Sequence, residues 1–119
     1  LNLCPPDFTV WSGNDGSTAA IMALGGKGVI SVAANVVPRE MHELTQLCLE
    51  NRFLEAGTLQ LKLHELIRAL FCEVNPIPVK TSMELLGLCG GELRLPLCRM
   101  SERHLEQLSH ALEPFRPAV

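Results

Sequence analysis

The segment from Gly28 to Val32, GVISV, is apolar at every position except Ser31. Strands that lack polar alternation are usually buried on both faces, as in parallel sheets. A second β-prone run, Phe8 to Trp11, precedes this segment, and residues 17–24 between the two runs favour a helix. The first 37 residues therefore predict a strand, a helix and a strand, which is one right-handed crossover unit of a parallel α/β fold.

Three glycines stand between the predicted helix and the second predicted strand, at positions 25, 26 and 28. A phosphate-binding loop follows a strand and opens a helix. Here the glycines follow a helix and open a strand, so the order is reversed. We therefore expect Gly25 and Gly26 to end a helix that Ser17 caps, and Gly28 to lead the chain into the strand.

After residue 37 the pattern changes to helices, with no further strand predicted. Apolar residues recur at spacings of three and four in a helix that begins at Pro38 and in a longer one from Leu54 to Phe71. A short helix opens within NPIPVK (75–80), and Ser101 caps a last helix. Two parallel strands are too few for an independent sheet, because their edges stay unpaired. The sequence thus predicts either a small α-rich domain or the end of a larger α/β barrel with a helical extension.

The overall charge and the length of the apolar stretches argue against two classes of partner. The formal net charge is −3 and the chain has no basic run, which argues against nucleic acid. The longest apolar stretches are far shorter than the roughly 20 residues that span a bilayer, which argues against a membrane.

The metal-ligating residue types show no pattern typical of a metal site. The five cysteines are odd in number and form no C-x-x-C pair, so we expect buried, small apolar side chains rather than a zinc site or disulfides. The His-Glu dipeptides at 42–43 and 64–65 begin like the zinc motif H-E-x-x-H, but Gln46 and Arg68 stand where the second histidine belongs. We therefore expect no metal and no cofactor.

Four motifs identify a family when they are taken together. They are SGND (12–15), GGKGVISV (25–32), NPIPVK (75–80) and LRLPL (93–97). In this order and spacing the chain resembles the C-terminal part of the dihydrodipicolinate synthase family. The motif NPIPVK separates that branch from the related N-acetylneuraminate lyases and keto-deoxy-sugar aldolases.

The resemblance implies an α/β fold, the C-terminal part of a (β/α)8 TIM barrel followed by a three-helix extension. Residues 1–51 would be the last two βα units, with strands at Phe8–Ser12 and Gly28–Val32, and residues 52–119 would be the extension. A whole barrel takes about 250 residues. We therefore expect the chain to be a piece of something longer, and its first residue, Leu1 instead of Met, fits that expectation.

The resemblance also implies a lyase of lysine biosynthesis, in the diaminopimelate pathway. Such enzymes join pyruvate to a barrel lysine as a Schiff base, and the enamine attacks aspartate semialdehyde. They are homo-oligomers, dimers or tetramers, in the cytoplasm or, in plants, the plastid. Leu24 would lie at the family's weaker tetramer contact.

The catalytic lysine, tyrosines and arginine of this family belong to earlier parts of the barrel. This chain has no tyrosine, and Lys27, Lys62 and Lys80 do not match the catalytic position. We expect no catalytic residue in this chain. Two alternatives stay open: a truncated paralogue that acts as an assembly module, and a related pyruvate aldolase such as one of the N-acetylneuraminate lyase type.

Two residues are candidates for contact with substrate. The resemblance places Gly13 beside the bound keto acid, and it places the main-chain carbonyl of Ile30 against the pyruvate-derived group, with the Ile30 side chain in the core. We expect Asn14 and Asp15 to have structural roles in the loop after the first strand. Asn75 would cap the short helix and hold the extension against the barrel.

Overall fold

A computed structural model describes residues 3–116 of the chain. Within these residues the helices are α1 (Thr18–Ala23), α2 (Pro38–Leu49), α3 (Phe53–Leu70), α4 (Ile77–Leu85) and α5 (Glu102–Leu112). Short 3-10 turns lie at Asp15–Ser17, Ala33–Asn35 and Glu113–Phe115. None of the described helices is both long and apolar enough to cross a membrane.

The predicted helices are confirmed, with small differences at their ends. α2 begins at Pro38 and α5 begins directly after Ser101, as expected, while α3 begins and ends one residue before the predicted Leu54–Phe71, and α4 begins within 75–80. α1 is shorter than expected, because the backbone first makes the 3-10 turn Asp15–Ser17. Gly25 follows α1 with φ at 105°, a left-handed conformation that glycine adopts without strain.

The two predicted strands are not present as strands in the described part of the chain. Phe8–Ser12 and Gly28–Val32 run side by side, but among the described residues their strand pairing is limited to one isolated parallel bridge, between Ser12 and Val29. The predicted C-terminal barrel strands are therefore corrected to two extended segments. The physical reason is that apolar sequence favours a buried strand only where further strands pair with both edges and cover both faces.

The hydrophobic core belongs to the helices. α3 lies at its centre and packs against α1, α2, α4 and α5. The leucines of this core that are fully buried are Leu44, Leu63, Leu66, Leu70, Leu108 and Leu112. Each fully buried leucine contributes about 1.5–3 kcal/mol relative to an exposed one. The helical part thus has a core that does not depend on a sheet.

The cysteines differ from the prediction that they are buried. Cys48 is buried between helices, and burial raises the pKa of its thiol. Cys4 and Cys72 are half-buried, while Cys89 and Cys98 are exposed. All five thiols are free. The prediction was wrong for the exposed pair, which lies in the loop between α4 and α5, where Leu88 and Leu95 are exposed as well.

Glu73, in the loop after α3, holds the start of α5. Its Oε1 atom accepts hydrogen bonds from the Ser101 hydroxyl (2.7 Å) and the Ser101 N–H (3.1 Å), and it lies 2.7 Å from Nδ1 of His104. Ser101 occupies the predicted N-cap position but its side chain makes no capping bond of its own. The bond from the Ser101 hydroxyl, and then that from His104, lowers the pKa of the Glu73 carboxyl below its usual value. The Glu73 side chain therefore connects the start of α5 to the loop after α3.

We predict that this anchor weakens in acid. Because the pKa of Glu73 is lowered by folding, its contribution is present above the ordinary carboxyl pKa of about 4.3 and is lost as the pH falls through the lowered value. Glu73→Gln should lower the free energy of unfolding by about 0.5–1 kcal/mol at pH 7, and the difference from wild type should shrink by pH 3. Urea unfolding at both pH values measures it. Glu106→Gln, on the exposed side of α5, is the control, and an equal difference for Glu73→Gln at both pH values would contradict the assignment.

We also predict that a side chain at position 28 would displace the Trp11 ring. A Cβ atom at position 28 would lie 2.7 Å from Cε3 of the Trp11 ring and closer still to Cζ3. Because Trp11 is 54% exposed, Gly28→Ala should push the ring into water instead of unfolding the chain. Trp11 is the single tryptophan, so its fluorescence emission should move to longer wavelength. The control Gly57→Ala, where a Cβ meets nothing within 4 Å, should leave the emission unchanged; an unchanged spectrum for Gly28→Ala would refute the contact.

Candidate functional site

The bridge between the two extended segments brings the candidate substrate contacts together. The Ser12 N–H donates to the Gly28 carbonyl (2.8 Å), and the Ile30 N–H donates to the Ser12 carbonyl (2.8 Å). Because the segments are parallel, their carboxyl ends meet at the same edge. Gly13 and Ile30 therefore stand next to each other, one on each segment, just past the bridge.

Gly13 and Ile30 both face open space. A Cβ atom on Gly13 would meet nothing within 4 Å. The Ile30 side chain is 74% exposed, so the expectation that it lies in the core was wrong. The reason is that nothing in residues 3–116 packs on that face of the extended segment. Ile30 instead lines an open groove of about 440 Å³, together with Asn75 and Lys80.

Asp15 is the best-connected side chain near these two residues. It is 1% exposed. One carboxylate oxygen accepts the Ser31 hydroxyl, and the other accepts the N–H groups of Val32 (2.9 Å) and Ala33 (3.2 Å). A buried carboxylate without such donors would be strongly destabilising. Asp15 thus joins the loop after the first extended segment to the end of the second.

Asn14 is exposed and acts through its backbone. Its carbonyl oxygen accepts the Ser12 hydroxyl (2.8 Å) and the Ser17 N–H (3.2 Å), and its N–H donates to the Ser12 hydroxyl oxygen (3.2 Å). It stands at the N-cap of the 3-10 turn without a side-chain capping bond. These bonds close a tight turn on which Gly13 sits.

Asn75 does not cap α4. The N-cap position is Pro76, and no side-chain capping bond is present there. The capping prediction was wrong because an asparagine at position 75 could cap only a helix that begins at residue 76, and α4 begins at Ile77. Asn75 is exposed in the loop between α3 and α4.

Sequence reasoning missed Gln60 of α3. Its Nε2 donates to the Asp15 carbonyl (3.1 Å), and its Oε1 accepts the Ala19 N–H (3.2 Å). One signal was present in the sequence: Gln60 is three residues before Leu63 and seven before Ile67, and so lies on the apolar face of the helix. A polar side chain on such a face usually has a specific partner.

The lysines of the chain are not enclosed. Lys27 and Lys62 are exposed, and Lys80 donates from Nζ to the Glu92 carbonyl (2.5 Å). Among the described residues, no group of three or more histidine, cysteine, aspartate or glutamate side chains could hold a metal ion. These residues can form one side of a ligand-binding site, made of Gly13, the main chain at Ile30 and the loop that Asp15 holds in place.

The comparisons with known proteins agree with the motifs. The Dihydrodipicolinate synthetase family matches residues 1–114. The 4-hydroxy-tetrahydrodipicolinate synthase of Acetivibrio thermocellus is 50% identical over 115 residues, which are 97% of this chain and 39% of that protein. That of Methanocaldococcus jannaschii is 53% identical over 106 residues, covering 89% of this chain and 37% of that protein.

Solved structures are similar in fold as well as in sequence. A dihydrodipicolinate synthase from Aquifex aeolicus superposes with a TM-score of 0.91 at 48% identity, over 93% of this chain and 38% of that one. A monomeric dihydrodipicolinate synthase variant gives a TM-score of 0.88 at 45% identity, over 90% and 36% respectively. The chain spans less than two fifths of the length of these relatives.

We predict that removing the Asp15 carboxylate destabilises the chain. Asp15→Ala leaves the half-buried Val32 N–H and the buried Ala33 N–H without acceptors, which should lower the free energy of unfolding by about 2–4 kcal/mol. Asp15→Asn keeps one acceptor oxygen and should cost less. Urea unfolding measures both, with Asp7→Ala, at an exposed position, as the control. Equal stabilities for Asp15→Ala and Asp7→Ala would overturn the role of the network.

Proposed function

Because the chain belongs to the dihydrodipicolinate synthetase family, we propose that it is the C-terminal part of a pyruvate-dependent Schiff-base lyase. The type that fits best is 4-hydroxy-tetrahydrodipicolinate synthase, which condenses pyruvate with aspartate semialdehyde in lysine biosynthesis. The support is the family match over residues 1–114 and the similarity to named synthases at about half identity.

The observation that carries this proposal is the placement of Gly13 beside Ile30. Active sites of (β/α)8 barrels lie at the carboxyl ends of the strands. The two residues lie at the carboxyl ends of neighbouring parallel segments, and no hydrogen bond to the Ile30 carbonyl oxygen is present within residues 3–116. In the proposed enzyme this oxygen faces the pyruvate-derived group, and Gly13 leaves room for it.

We assign no catalytic residue to this chain. A Schiff-base lysine needs a desolvated pocket that lowers its pKa. Lys27 and Lys62 are exposed, and the ammonium group of Lys80 is engaged with a main-chain carbonyl. The proposed contribution of this region is the wall that orients the keto acid, while the nucleophile comes from another part of the barrel.

A second candidate, an assembly module without chemistry, has one observation in its favour. Large apolar side chains along the two extended segments are exposed, with Phe8 at 59%, Trp11 at 54% and Ile30 at 74%. Leu24, at the end of α1, is 73% exposed and suits the proposed contact between subunits. Such surfaces fit contact with further polypeptide under either candidate, so activity is the property that separates them.

We predict that the 119-residue chain by itself does not trap pyruvate. Incubation with pyruvate and borohydride reduces any imine to a stable secondary amine, which mass spectrometry locates. We expect no adduct above background on the three lysines, because none lies in a desolvated pocket. An adduct on Lys27, Lys62 or Lys80 that accompanies turnover would contradict the assignment.

The matching positive test is a chimera in which this chain replaces the aligned C-terminal region, 39% of the length, of the Acetivibrio thermocellus relative. We expect a trapped adduct on a lysine of the relative's portion and condensation with aspartate semialdehyde. Gly13→Ala should raise the KM for pyruvate on the order of tenfold by crowding the keto acid, although it clashes with nothing in this chain. Gly57→Ala is the control. A folded chimera without either reaction would favour the assembly module.

A further inference from the structure

We infer that Gln60 is a positioning residue: from α3 it fixes the loop that carries Gly13, and through Asp15 it fixes the segment that carries Ile30. The inference rests on the proposed function in naming these two residues as substrate contacts. It assigns a role in the site to a helix that lies outside the two extended segments.

Both ends of the Gln60 amide are used. Nε2 donates to the Asp15 carbonyl (3.1 Å), and Oε1 accepts the Ala19 N–H (3.2 Å). An amide oxygen can only accept and an amide N–H can only donate, so the two partners fix the orientation of the side chain. The partners are 45 and 41 residues away in sequence. Gln60 therefore joins α3 to both sides of the turn at the start of α1.

This bridge replaces a local helix cap. The first N–H groups of a helix need acceptors from outside the helix. Ser17 stands at the N-cap of α1 and makes no side-chain capping bond. Gln60 supplies the acceptor for Ala19 instead. Because α3 is held in the core by α2 and α5, the bond from Ala19 to Gln60 ties the start of α1 to the core.

Asp15 passes the constraint on to the second segment. Its carbonyl oxygen is held by Gln60 and by the Thr18 hydroxyl (2.9 Å), while its carboxylate holds Ser31, Val32 and Ala33. Val32, at the N-cap of the turn Ala33–Asn35, makes no side-chain capping bond, and the Ser31 hydroxyl oxygen accepts the Ala34 N–H (2.8 Å) while it donates to Asp15. One residue is thus fixed at its backbone by α3 and fixes the end of the other segment with its side chain.

Gln60 and Asp15 together therefore keep the distance between Gly13 and Ile30 constant. A displacement of about 1 Å in a positioned group can cost on the order of a hundredfold in rate. If Gln60 only supplies hydrogen bonds to two polar groups, its loss should lower the stability of the whole chain. The segment at Ile30 should then loosen no more than other segments do. If Gln60 positions the site, its loss should loosen Val32 and Ala33 in particular and weaken pyruvate binding.

The test uses the full 119-residue chain within the chimera described above. Gln60→Leu removes both bonds. Gln60→Glu keeps an acceptor for Ala19 but sets an oxygen against the Asp15 carbonyl. Gln107→Leu, at an exposed position of α5, is the control. The readouts are hydrogen exchange at individual amides and the KM and kcat for pyruvate.

We expect Gln60→Leu to speed exchange at Ala19, Val32 and Ala33 by about five- to tenfold, with α4 and α5 unchanged. Gln60→Glu should do so at Val32 and Ala33 and spare Ala19. The KM for pyruvate should rise several-fold in both, with a smaller change in kcat, while Gln107→Leu matches wild type.

Two outcomes would overturn the inference. One is exchange that rises equally across all helices, which is loss of stability alone. The other is faster exchange at Val32 and Ala33 with an unchanged KM. If the chimera with the unaltered chain does not trap pyruvate, the proposed function fails, and the exchange pattern by itself decides whether Gln60 couples α3 to this loop.

Discussion

The carboxylate of Asp15 is the interaction on which the arrangement of the candidate site depends. It is buried, and it accepts hydrogen bonds from the Ser31 hydroxyl and from the N–H groups of Val32 and Ala33. Burial of an unpaired charge is costly, so the position of this side chain and the position of its donors determine each other. The loop with Gly13 and the segment with Ile30 are joined at this point more firmly than by the single bridge between Ser12 and Val29.

The helices and the extended segments differ in how far their large apolar side chains are buried. The helices bury their own leucines around α3, and the second extended segment adds half-buried Val29 and Val32, which pack against this core. The extended segments form one bridge and leave Phe8, Trp11 and Ile30 exposed. A parallel sheet is stable when its strands are paired on both edges and covered on both faces. The expected division at residues 51 and 52 stays a prediction, since α3 packs against α1 as closely as against α4.

The sequence predicted the features that depend on local periodicity and missed those that depend on distant partners. α2 and α3 follow from apolar spacing, and the left-handed Gly25 follows from its place after a helix. The strand Gly28–Val32 did not form, because strand pairing is not a property of one segment. Asp15 was expected to hold the loop, but its donors 16 to 18 residues away could not be read from its neighbours. Gln60 was missed for the same reason, although its place on an apolar helix face marked it as unusual.

We propose that Gly13 and the Ile30 carbonyl form one wall of a pyruvate site, and a crystal structure of the chimera, trapped with pyruvate and borohydride, is the direct test. We expect the lysine-bound three-carbon group to lie in van der Waals contact, about 4 Å, with Gly13 and with the Ile30 carbonyl oxygen. We also expect the Asp15 bonds to Val32 and Ala33 to be intact. A trapped group that contacts neither residue, in a folded barrel, would show that these two residues do not bind the keto acid.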